Sequence, residues 1–87
     1  MQDQTDQLLR RILSDVLGLK PSQVDGFDGS TGLFGHLPEL DSMAVAGLLT
    51  EMEDRLDILI EDDDIDGEML ETFGSLLAFA EAKRAQS

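Results

Sequence analysis

The chain has 87 residues, with 19 acidic side chains against six basic ones, a formal charge of −13 and no cysteine. That length supports one domain with a modest core, and the charge opposes nucleic acid and anionic membranes as partners. Disulfides, thiolate catalysis and thiolate-bound zinc are excluded, and the lack of disulfides suits a reducing cytoplasm.

Apolar residues make up 41% of the chain, and its only aromatic residues are four phenylalanines. This favours a helical core over a β-sandwich. No run approaches the 18 apolar residues of a membrane span, and the acidic, polar opening does not read as a signal peptide.

From about residue 3 to 17, Leu8, Leu9, Ile12, Leu13, Val16 and Leu17 recur at helical spacing. They predict a first helix, with Asp3, Thr5 and Asp6 as start signals and Gly18 and Pro21 as stop signals. A loop over 18–41 follows, rich in glycine and carrying Val24, Phe27, Leu33, Phe34 and Leu37, which predict that it folds back onto the core. A connection this long usually has a function.

A second long helix is predicted over about 42–56, with Val45, Leu48, Leu49, Met52 and Leu56 inside and Glu51, Glu53, Asp54 and Asp57 outward. Ile58, Leu59 and Ile60 read as a packed loop. The acidic stretch 61–68 is expected to hold a short helix at about 62–67 that buries Ile65. The last helix, about 69–84, aligns Met69, Leu70, Phe73, Leu76, Leu77 and Ala80, with Lys83 and Arg84 in its final turn.

These elements predict an all-α fold: a four-helix bundle of three long helices and one short, in one domain over 1–87. The expected core is Leu9, Ile12, Val16, Val45, Leu49, Met52, Leu56, Phe73, Leu76 and Leu77.

The most informative stretch is Pro38-Glu39-Leu40-Asp41-Ser42-Met43-Ala44-Val45. It puts a serine in the first turn of a helix at the end of a long loop, its hydroxyl beside backbone N–H groups that lack internal partners. A phosphate ester is favoured there. Asp-Ser is equally the sequence of an ordinary N-cap, and the two roles are compatible.

Two other motifs carry less. Asp62, Asp64, Asp66 and Gly67 match the start of an EF-hand loop, but the twelfth position, which needs glutamate, is Phe73. His36 has no evident nucleophile or metal partner and reads as a loop residue. No catalytic residue and no metal site is expected.

From the first helix to Ala80 the chain resembles the acyl carrier protein family. The family's Asp-Ser-apolar motif reads here Asp41-Ser42-Met43, and Glu53-Asp54-Arg55-Leu56 resembles its acidic pair before a large apolar residue. The resemblance implies that Ser42 Oγ bears 4′-phosphopantetheine, absent in an apo preparation, with Asp41 and Met43 as motif neighbours. The arm's thiol would carry an acyl or aminoacyl group as a thioester, so the protein would be a cytoplasmic, monomeric carrier rather than an enzyme. It implies a phosphopantetheinyl transferase, an acyl- or aminoacyl-adenylate ligase and an acyltransferase or synthase as partners. The expected docking residues, from charge placement on the second long helix, are Glu51, Glu53, Asp54 and Asp57.

Met43 stands where the family usually has leucine, and Ala44 and Gly47 stand where its fatty-acid carriers are acidic. The stretch Leu37 to Val45 is similar to bacterial carriers associated with exosortase and exopolysaccharide clusters. The alternative from composition alone is a noncatalytic acidic interaction module without a prosthetic group that binds Ca²⁺ weakly.

Overall fold

The structure, a computed structural model, describes residues 2–86. Helix α1 spans Gln2–Leu17, α2 Pro21–Asp25, α3 Ser42–Leu56 and α4 Phe73–Gln86, with a single 3₁₀ turn at Asp62–Asp64. The described residues form no strand, and α1 is the central element, packing on each of the other three helices. No helix among them is long and apolar enough to cross a membrane.

The stripe on α1 explains its position. Leu9, Ile12 and Leu13 have no exposed surface, and Leu33, Leu48, Met52 and Leu76 meet them equally buried. Each such side chain contributes about 1.5–3 kcal/mol through burial. Val16, Val45 and Leu77, expected in the core, are only half-buried at its edge. Thr5, read as a start signal, lies inside α1; it is 4% exposed and accepts a hydrogen bond from Arg84 Nη1 at 2.8 Å.

Gly18, at φ +71°, ends α1 in the left-handed conformation that glycine adopts without strain. Leu19 N–H then bonds back to the Ser14 carbonyl at 3.1 Å. Pro21 is more than a stop signal, because it occupies the first turn of α2, where its missing N–H and fixed φ favour a helix start. The loop expected over 18–41 therefore contains a short helix. Arg10 joins three elements there: it pairs with Asp6, donates to the Val24 carbonyl at 2.5 Å and lies 4.5 Å over the Phe73 ring.

The remainder of the long loop is sewn to the segment before α4. Leu33 N–H donates to the Glu71 carbonyl at 2.8 Å and Phe34 N–H to that of Leu70 at 2.9 Å; Phe73 N–H donates to Thr31 and Gly74 N–H to Gly29, at 2.9 and 3.1 Å. This seam corrects the expected start of the last helix at 69. The Leu70 and Glu71 carbonyls serve the loop instead, and α4 begins only after Thr72, whose hydroxyl accepts from Ser75 N–H at 3.1 Å.

The short helix expected over 62–67 is also corrected. Only the 3₁₀ turn forms, and Ile65 is extended and 39% exposed. Asp66 diverts the chain by accepting from Met69 N–H at 2.8 Å, an alternative to helix that short acidic side chains offer.

Candidate functional site

Asp41 is the N-cap of α3, in extended conformation at φ −99° and ψ −176°. Its Oδ1 accepts from Ala44 N–H at 2.8 Å, and its carbonyl accepts from Val45 N–H at 2.9 Å. The N–H groups of Ser42 and Met43 precede the first intrahelical bond and face out of the helix end. Ser42 is exposed at this first position. With the Asp41 carboxylate turned onto its own helix, the end of α3 presents an accessible hydroxyl beside backbone donors. That arrangement fits a phosphodiester on Ser42 Oγ.

Ser42 also forms part of the wall of a cleft of about 340 Å³, lined by Phe34, Val45, Ile65, Asp66, Gly67 and Leu70. The seam fixes one wall, because the Phe34 N–H to Leu70 bond joins two of its residues. Met43 projects into solvent next to Ser42 and is 85% exposed.

The four acids expected to dock partners have different surroundings. Glu51 accepts from Arg55 Nε at 2.9 Å, and Arg55 reaches Asp15 on α1 at 2.6 Å. Glu53 accepts from Ile60 N–H at 2.9 Å and so holds the segment after α3. Asp54 is exposed, and exposed Asp57 ends the helix at φ +55°.

Two of the three EF-hand-like acids are committed elsewhere, and the twelfth position is apolar. Asp64 pairs with Lys83 at 2.6 Å, Asp66 bonds to Met69 N–H, and Phe73 is buried. The Asp64 carboxyl lies below its ordinary range because Lys83, and then the Glu61 N–H, hydrogen-bond its charged form. His36 covers Gly32, where an added Cβ would fall 2.3 Å from His36 Cγ.

The sequence reading missed the cleft. Phe34 reads as an apolar loop residue and Asp66-Gly67 as part of the EF-hand-like stretch, but nothing in their spacing joins them to Ser42, which only the seam brings near.

Residues 7–80 match the family model for the phosphopantetheine attachment site. The solution NMR structure of a holo acyl carrier protein from Nitrosomonas europaea is similar at 40% identity with a TM-score of 0.82, over 93% of this chain and 95% of that one. Comparison with curated proteins finds no match.

Proposed function

The chain belongs to the phosphopantetheine-attachment family of acyl carrier proteins, a carrier rather than an enzyme, and on that premise we propose that Ser42 Oγ bears its 4′-phosphopantetheine. The observation that carries this assignment is the exposed Ser42 hydroxyl at the free N-terminus of α3, on the wall of an apolar cleft. The prosthetic group supplies the thiol on which cargo is held as a thioester. Asp41 holds the first turn of α3 open toward the phosphate, and Met43 stands beside it as a contact for whatever enzyme engages the arm.

The cargo is an acyl or aminoacyl group, charged by an adenylate-forming ligase and passed to an acyltransferase or synthase in the cytoplasm. The stretch Leu37 to Val45 favours an exopolysaccharide-linked setting. Docking runs along α3, where Asp54 and Asp57 offer exposed charge to basic partner surfaces, while Glu51 and Glu53 also serve this chain internally.

The test is intact mass after incubation with coenzyme A and a broad-specificity phosphopantetheinyl transferase, followed by peptide mapping. One arm on Ser42, and none on a folded Ser42→Ala variant, is the expected result. No addition to the native chain, with a control carrier modified in the same tube, defeats the assignment.

A further inference from the structure

The cleft beside Ser42 has an asymmetry of charge. Phe34, Val45, Ile65 and Leu70 make its walls apolar, and the one charged side chain among its lining residues is Asp66. Asp66 is held in place because its Oδ1 accepts from Met69 N–H at 2.8 Å, next to Gly67, which adds no side chain to the wall. No basic residue lines the cleft. The acids that flank it in sequence, Glu61, Asp62, Asp63 and Glu68, are exposed, and Lys83 is taken by Asp64. The acidic side chains around this mouth therefore make its potential negative, and apart from the α3 terminus at Ser42, which the arm's phosphate would occupy, the walls are apolar and carry no cation.

Resting on the assignment of the arm to Ser42, we propose that Asp66 makes this cleft selective for the charge of the cargo. Neutral acyl chains, and chains ending in an ammonium group, enter it. Chains ending in a carboxylate stay in solvent. At roughly 30 Å³ for each water-sized group, a volume of about 340 Å³ takes on the order of ten heavy atoms, so short to medium chains fit. A terminal carboxylate would bring a second negative charge to Asp66 with no cation in the lining. An ammonium would find a fixed acceptor. The first two classes are thus held against the apolar walls between enzymes, and the third extends into water.

The test loads the apo protein from three coenzyme A thioesters of equal chain length: hexanoyl, 6-aminohexanoyl and adipoyl. Loading is checked by mass and peptide mapping. Uptake is read from methyl NMR shifts of Val45, Ile65 and Leu70 against the protein bearing the bare arm. Hexanoyl and aminohexanoyl should shift these methyls, whereas adipoyl leaves them near the bare-arm positions.

Asp66→Asn keeps the acceptor for Met69 N–H while removing the charge. It should raise the adipoyl population in the cleft about five-fold, the factor for two like charges at close range in a solvated site, and lower that of aminohexanoyl. Equal shifts for all three cargoes, or no response to Asp66→Asn, overturn the inference. Loaded cargoes that leave all three methyls unmoved also overturn it. Absence of the arm from Ser42 is a separate result: it defeats the carrier assignment and this inference with it.

Discussion

The seam and the Ser42 end of the bundle draw on the same residues but are built in opposite ways. Along the seam, residues 29–34 and 70–74 approach backbone to backbone through four hydrogen bonds, and Leu33 between them has no exposed surface. At the Ser42 end, Phe34, Met43 and Ile65 are left in contact with water, around a helix terminus whose first donors have no internal acceptor. Large apolar groups in water do not stabilise the fold, so their clustering beside Ser42 marks a contact surface. Loop residues that pack as a core hold that site rigidly while leaving it open.

The largest contrast should come from truncating one apolar residue in each region. Leu33→Ala removes a fully buried side chain and is expected to lower stability by about 2–5 kcal/mol. Met43→Ala, at an exposed position, should stay within about 0.5 kcal/mol of the native chain. Urea unfolding of both variants measures the difference, and equal losses would abolish the distinction between a packed seam and an open site.

Two helical glycines give a smaller contrast of opposite sign. A Cβ on Gly74 would lie 2.6 Å from the Gly29 carbonyl oxygen and 2.9 Å from its Cα, and backbone cannot yield as a side-chain tip does. Gly74→Ala should therefore destabilise by about 1–3 kcal/mol. A Cβ on Gly47 in α3 would meet only Val16 Cγ1, at 3.9 Å. Gly47→Ala should stabilise by about 0.5–1 kcal/mol, from helix propensity and reduced unfolded-state entropy. Thermal melts of the two variants on either side of the native curve would place the tight contact at the seam and leave α3 free of one.

These contrasts also show what was legible in the sequence. The long helices could be read because a 3.6-residue period repeats within each, as in the Leu9, Ile12 and Leu13 stripe, and Ser42 because Asp41 precedes a periodic segment. The seam was not legible, since it consists of backbone bonds between residues about 40 positions apart, and backbone groups carry no sequence label. The corrected start of the last helix follows from this. Met69 and Leu70 have a helical pattern, but the Leu70 carbonyl is drawn to Phe34. The Glu53 carboxylate likewise accepts from Ile60 N–H seven residues on, a bond that its spacing does not announce. Val16, Val45 and Leu77 fall at the core edge because their helices turn only a narrow stripe inward.

The smallest expected effect separates two carboxylates, one in each region, that are both held below the ordinary value of 3.8. In the turn that opens the seam, Asp28 is lowered first by the Ser30 hydroxyl at 2.8 Å and then by the Ser30 N–H, both neutral donors. Beside the cleft, Asp64 is lowered first by the Lys83 ammonium at 2.6 Å. A lowered folded-state value means that the folded chain holds the charged carboxylate more firmly than the unfolded chain does. Each group's contribution is thus complete above the ordinary value and is lost as pH falls through the lower folded value. Salt distinguishes them, because at 1 M the screening length falls to about 3 Å. Titrated by carboxyl carbon NMR, Asp64 should rise toward 3.8 on adding salt while Asp28 stays low. In Lys83→Met, Asp64 should lie higher and lose most of that salt response, keeping the part due to the Glu61 N–H. If both carboxylates moved together with salt, charge pairing would not distinguish the Asp64 side of the cleft from the neutral turn that opens the seam.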